Sequence, residues 1–221
     1  MTPSCVLFDL DGTLINTAPD LIKALNQTLI QFDYPTVADK DLKPFISYGA
    51  AAMLDHAITE TISESRREQL LAWLLNYYEH HLADLSHLYE GMAEILQMLK
   101  TQNIPWGIVT NKRERFALPL MQALNLTQHT DCIICGDTTA HSKPHPEPML
   151  AACQKLTVNP TECLYIGDAQ HDITAGNSVD MTTIVACYGY LTTDAQPETW
   201  QADAMINHPS ELLNWISPVC H

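Results

Sequence analysis

Short apolar runs recur along the chain at residues 5–10, 104–110, 131–136, 163–167, 183–187 and 204–207. They are rich in Val, Ile, Leu and Cys and barely alternate with polar residues, which is the pattern of strands buried on both faces. Helical spacing fills the gaps between them at residues 92–100, 115–124, 146–156 and 171–177. Strand, helix and strand at these intervals predict βαβ units, right-handed crossovers and a doubly wound parallel sheet of the α/β class.

The span between the first two runs breaks this rhythm. From about residue 17 to about residue 88 the chain carries no strand signal. Ala24, Leu25, Thr28, Leu29 and Phe32 recur at helical spacing, as do Leu70, Trp73, Leu74, Tyr77 and Tyr78, with Ser63 placed to cap the helix that holds the second set. An ordinary crossover needs one helix. This one carries at least three, so an all-helical module is expected to be inserted after the first strand and to sit over one edge of the sheet.

Composition narrows the function classes. The chain has 221 residues, 46% of them hydrophobic, enough for a sizeable core and against global disorder. Its 11 Lys and Arg face 26 Asp and Glu, a formal charge of −15 that argues against nucleic acid as a partner. No apolar stretch approaches the roughly 20 residues of a membrane helix, and Met1 to Asp9 shows no basic leader. The seven cysteines, Cys5, Cys132, Cys135, Cys153, Cys163, Cys187 and Cys220, are odd in number and mostly lie inside apolar runs. Cys132 and Cys135 have the C-x-x-C spacing, but in a strand they point to opposite faces. A reduced, cytoplasmic protein is expected; its oligomeric state, monomer or homodimer, is left open.

In open α/β sheets the ligand crevice lies beyond the carboxyl ends of the strands. Asp9 and Asp11 follow the first run, Thr110 and Asn111 the second, and Asp168 the fourth, while Lys143 lies in the loop beyond the third. Gly12 frees the backbone to turn where a side chain would obstruct. If a helix begins near Asp168, Asp172 lies one turn further on. Three or four carboxylates at one point repel each other, and a hard divalent cation relieves that repulsion; few protein ligands beside a phosphate favour magnesium over calcium. Magnesium and Lys143 would let so acidic a chain hold a phosphoester.

These residues match a family. Asp9-Leu10-Asp11-Gly12-Thr13, Thr110-Asn111, Lys143-Pro144 and Gly167-Asp168-Ala169-Gln170-His171-Asp172, in that order, resemble the four signature motifs of the haloacid dehalogenase superfamily. The resemblance implies a Rossmann-like hydrolase core at 1–15 and 86–221 with a helical cap at 16–85. It implies Asp9 as nucleophile, forming an aspartyl-phosphate, and Asp11 as general acid and base. Asp168 would bind magnesium with Asp9 and the main-chain oxygen of Asp11, and Asp172 would support the ion. Gly12, Thr110, Asn111 and Lys143 would hold the phosphoryl group, with Thr110 and Lys143 taking part in catalysis.

Within the superfamily the chain looks like the phosphoglycolate phosphatases and their bacterial relatives, through Asn16-Thr17-Ala18-Pro19-Asp20, Ile108-Val109-Thr110-Asn111-Lys112, Lys143-Pro144-His145-Pro146-Glu147-Pro148 and Tyr188-Gly189-Tyr190. N-acetylmuramic acid 6-phosphate phosphatase looks about as similar around Trp106 to Lys112. The implied reaction is hydrolysis of a small phosphorylated metabolite, 2-phosphoglycolate first and the amino-sugar phosphate as the alternative. Asn16 stands where the family usually has Asp, at the cap hinge. Phosphosugar mutases carry a His-x-x-Ala-Trp motif in the first cap helix, where this chain reads Leu21-Ile22-Lys23-Ala24-Leu25, and dehalogenases lack the second aspartate. Four intact motifs also speak against a catalytically silent binding protein.

The cap offers less. Gly49, before a short helical run, could let amides approach an anion. Lys43 and Arg113 could reach a substrate carboxylate but read first as solvated charge, and Trp73, Tyr77 and Tyr78 read as cap core rather than a stacking platform. No histidine has metal-ligand spacing with a matching partner, and His141 and His145 flank Lys143 without a task.

Overall fold

The computed structural model describes residues 2–130 and 132–216; Asp131 and Cys220 lie outside the described residues. The central sheet contains β1 (Cys5–Phe8), β4 (Trp106–Val109), β5 (Cys132–Ile134), β6 (Cys163–Gly167), β7 (Thr182–Ala186) and β8 (Ala204–Ile206). Its order is β5-β4-β1-β6-β7-β8, and every pairing is parallel, with Val6 of β1 opposite Trp106 on one side and Leu164 on the other. Alternate residues of β1 feed two apolar clusters. Cys5 and Leu7 join Cys132, Tyr165 and Met149, whereas Val6 and Phe8 join Ile108, Ile166 and the inserted helices. Burial on both faces is what the non-alternating runs required. Cys132 and Cys135 fall in different clusters, on opposite faces of the sheet.

Helices α5 (Met92–Thr101), α6 (Glu114–Ala123), α7 (Glu147–Leu156) and α8 (Gln170–Asn177) connect the strands, close to the predicted positions. The insertion holds α1 (Ala18–Gln31), α2 (Asp39–Leu42), a 3₁₀ segment (Lys43–Tyr48), α3 (Ala50–Ala57) and α4 (Glu64–His80). Ser63 caps α4 as expected, its hydroxyl accepting from Arg66 N at 3.2 Å. Leu25, Leu29, Leu70 and Leu74 are fully buried, and α1 packs on α4.

One prediction needs correction. The insertion is not free of strands at its margins, because β2 (Ile15–Asn16) and β3 (His87–Leu88) pair antiparallel where the chain leaves and re-enters the core. A two-residue strand is too short for period-two alternation to show. The crossing is pinned from both sides. Buried Asp20 accepts from Leu85 N, Ser86 N and Ser86 Oγ, the last at 2.7 Å. The Tyr190 hydroxyl accepts from Thr17 N at 2.7 Å and Ala18 N at 2.9 Å and donates to Asn16 Oδ1 at 3.0 Å. Asn16 therefore serves the hinge as an acceptor, a task that Asp or Asn can perform.

Candidate active site

The carboxyl ends of β1, β4 and β6 converge, and each delivers one functional group. Asp9, Asp168 and Asp172 are all buried, and each offers a carboxylate oxygen within 4.8 Å of the others. Asp172 enters from the first turn of α8, where its Oδ2 accepts from Ala169 N at 3.0 Å. Lys143 is drawn into the same group. Its Nζ lies 2.7 Å from Asp9 Oδ1, 2.6 Å from Asp172 Oδ1 and 2.8 Å from both Val109 O and the Tyr165 hydroxyl. An ammonium has three N–H donors for these four oxygens, so its place is over-determined.

Three buried carboxylates face one buried ammonium, and the protonation equilibria show the surplus. Burial pushes the Asp9 pKa up to about 7 against the pull of Lys143. Burial, with Asp9 and Asp172 beside it, holds Asp168 well above the usual range. Burial opposes ionisation of Asp172 too, but Lys143 wins and holds it below the usual value. An all-oxygen donor set with excess negative charge fits a hard divalent cation. The backbone makes room for it: Gly12 adopts φ +85°, and a Cβ at Gly12 or Gly189 would collide with the Asp168 side chain. Gly12→Ala is expected to cost at least about 1 kcal/mol of stability, read by urea unfolding, and most of the turnover.

The remaining predicted residues divide. Thr110 is buried at the end of β4, its Oγ1 accepting from Lys112 N at 3.1 Å. Asn111 exchanges two 3.0 Å bonds with the Lys143 backbone, so its amide positions the lysine. The Asp11 carboxylate lies outside the cluster of three. It accepts from Thr17 Oγ1 at 2.6 Å and from Lys112 Nζ at 3.1 and 3.2 Å. Burial disfavours the Lys112 ammonium, but Asp11 outweighs it and holds the Lys112 pKa above the ordinary value. Lys112, Tyr165 and Ser47 were not singled out from sequence. Tyr165 had a signal, since it shares a strand face with Cys163 and Gly167 and is the polar member of that set. Ser47 had none: the 3₁₀ segment carries it across to Asp168, where its Oγ donates to Oδ2 at 3.0 Å.

A cavity of about 610 Å³ lies between the strand ends and the inserted helices. Asp9, Asp11 and Thr110 form its floor, Ile46, Leu71, Leu75, Tyr78 and Phe116 give it apolar walls, and Lys112, Arg113 and Arg115 make it basic. Arg113 is thus a cavity residue. Lys43 is not among the lining residues and lies 5.6 Å from the centre of the Tyr190 ring. Gly49, at φ +89°, does line the cavity, and Tyr78 is both cap core and cavity wall.

A parallel α/β sheet with an aspartate cluster and a buried lysine at its carboxyl rim, under a helical insertion, defines a class of hydrolase. Residues 6–186 match the haloacid dehalogenase-like hydrolase family. The chain is 40% identical over 216 residues to N-acetylmuramic acid 6-phosphate phosphatase of Pseudomonas putida, covering 97% of each chain. It is 38% identical over 219 residues to phosphoglycolate phosphatase of Xanthomonas campestris, covering 98% of this chain and 99% of that one. A solved structure described as a predicted phosphoglycolate phosphatase from Haemophilus somnus superposes with a TM-score of 0.88 at 26% identity, covering 97% of this chain and 98% of the other. The chain belongs to the haloacid dehalogenase-like hydrolase family, and within it to the phosphoric monoester hydrolases. No helix among the described residues is long and apolar enough to cross a membrane.

Proposed function

We propose that the chain is a magnesium-dependent, cytoplasmic phosphatase that works through an aspartyl-phosphate on Asp9, with residues 16–85 as a cap over a core of 1–15 and 86–221. The observation that carries this reading is the buried group of Asp9, Asp168, Asp172 and Lys143 at the strand ends. Asp9 and Asp168, with the main-chain oxygen of Asp11, would hold the ion and Asp172 would support it. When bound, the ion neutralises carboxylate and phosphoryl charge and polarises the phosphoryl oxygens.

The chain's own groups supply the rest. An Asp9 carboxylate oxygen forms a bond to phosphorus as the ester P–O bond breaks, and Asp11 gives the leaving oxygen its proton. Water then attacks the same phosphorus, Asp11 takes its proton, and the Asp9–phosphorus bond breaks to release phosphate. Lys143 and the Thr110 hydroxyl hold the phosphoryl oxygens, with the Gly12 turn leaving them room, and Asn111 keeps the Lys143 backbone in place. Asp11 sits between Thr17 on the cap hinge and Lys112, so its side chain is placed to exchange partners as the cap moves. The Ser47 contact links the inserted helices to Asp168, and closure of the cap there would exclude water during phosphoryl transfer.

The cavity favours an organic group larger than glycolate. Its 610 Å³ and apolar walls suit a sugar-sized body, and Arg113 or Arg115 can meet a carboxylate on it. N-acetylmuramic acid 6-phosphate combines those features, and the 40% identity to the Pseudomonas putida phosphatase supports it. The second reading, 2-phosphoglycolate, rests on the 38% identity to the Xanthomonas campestris enzyme. Purified protein is expected to hydrolyse p-nitrophenyl phosphate with magnesium and to stop in excess chelator. On the two natural candidates, kcat/KM should favour the amino-sugar phosphate at least tenfold. A reversed ratio selects phosphoglycolate, and metal-independent turnover sinks the mechanism.

A further inference from the structure

We propose that His141, His145 and Glu147 form a second metal site on the outer face of the Lys143 loop, for a borderline divalent transition metal of the zinc type. Sequence spacing gave these histidines no task. The turn through Pro144 and Pro146 brings the three side chains together, each offering a ligand atom within 4.8 Å of the others. His141 Nδ1 donates to Glu147 Oε2 at 2.9 Å, and His145 Nδ1 lies 4.0 Å from the same oxygen. The two imidazoles stack at 4.3 Å between centroids, with 26° between their planes.

The arrangement is partly organised for an ion. Glu147 Oε2 also accepts from His141 N at 3.1 Å, which fixes the carboxylate against the loop backbone. His145 Nδ1 accepts from Glu147 N at 3.2 Å, a bond that an ion bound at that nitrogen would displace, while Nε2 is the other ligand atom the ring offers. Ligand atoms around a tetrahedral zinc at roughly 2 Å lie about 3.3 Å apart, a contraction that solvent-facing side chains can make. An ion would take the place of the proton shared by His141 and Glu147, releasing it to solvent. A surface cavity over the site, lined by His141, Ser142, Pro144, His145, Pro146 and Thr174, leaves room for water to complete the coordination.

The donor set decides the metal class. Two imidazole nitrogens with one carboxylate suit zinc, nickel or copper, whereas magnesium takes oxygen ligands. The all-carboxylate cluster of Asp9, Asp168 and Asp172 has the opposite preference, so the chain carries two sites of different chemistry. The second encloses Lys143 in sequence, and an ion there would brace residues 141–147 from outside. None of its ligands belongs to the aspartate cluster, so it stands independently of the phosphatase reading.

Calorimetric titration of the full chain with zinc in saturating magnesium tests the site. One zinc per chain is expected to bind despite the magnesium. The double variant His141→Ala/His145→Ala should weaken that binding at least tenfold, and Glu147→Gln should weaken it less. In histidine-resolved NMR, zinc should shift the resonances of two imidazoles, those lost in the double variant. Disappearance of zinc binding in excess magnesium, or unchanged affinity in the folded double variant, would overturn the proposal.

Discussion

Asp9→Asn is expected to reduce phosphatase turnover by roughly 10⁴-fold or more while the chain stays folded. An amide oxygen cannot serve as the attacking carboxylate, and no other carboxylate of the cluster follows β1 at its crevice end. The variant also has a pH signature in stability, which reports the burial of Asp9 and is separate from its role in turnover. The folded chain holds the Asp9 pKa at about 7, against an ordinary 3.8, chiefly because the group is buried. A raised acid pKa means that the folded state keeps its proton longer than the unfolded state does. Stability is therefore present at low pH and lost as pH rises between those two values. Asparagine does not titrate. In metal-free protein, Asp9→Asn should then match wild type near pH 4 and exceed it by up to about 4 kcal/mol at pH 8. Urea unfolding at the two pH values checks this. Turnover near wild type would remove Asp9 as the nucleophile, and a pH-independent stability difference would remove burial as the source of its raised pKa.

The parallel sheet was legible because its strands lack alternation, a direct consequence of cover on both faces. The predicted strand ends overran. The first run continues through Leu10, and Leu10 is fully buried, yet β1 stops at Phe8. Hydrophobicity reports burial there, while the backbone has already turned toward Gly12. The strand-end rule located Asp9, Thr110 and Asp168, and one helical turn located Asp172. Asp11 also lines the cavity, and the turn after Phe8 carries its carboxylate to Thr17 and Lys112, outside the cluster of three. Contacts made by irregular backbone left no periodic trace. Ser47 on its 3₁₀ segment, the β2–β3 pair and the His141–Glu147 loop all depend on turn geometry, which spacing alone does not supply.

Lys143→Met tests whether the same lysine holds the fold and the phosphoryl group. Its side chain is fully buried, with Asp9 and Asp172 both bonded to Nζ. Burial by itself would lower the lysine pKa, but Asp172 and Asp9 raise it above the ordinary value, so the ammonium is kept charged. Methionine fills a similar volume and removes that charge, leaving three carboxylates with no cation among them. Removing one partner of a buried pair costs about 3–5 kcal/mol, and that loss is expected in metal-free protein near pH 7.5. Added magnesium should narrow the gap between variant and wild type, because binding to the folded state stabilises it and a dication replaces part of the missing positive charge. Turnover is expected to fall at least roughly 10²–10³-fold even in saturating magnesium, since Lys143 is the cation bonded to Asp9 Oδ1 at the strand ends. Unfolding midpoints with and without magnesium, read beside p-nitrophenyl phosphate hydrolysis, separate the two roles. A variant as stable as wild type without metal would show that Asp9 and Asp168 take up protons and need no cation. A stable variant with ordinary turnover would remove Lys143 from the phosphoryl site as well.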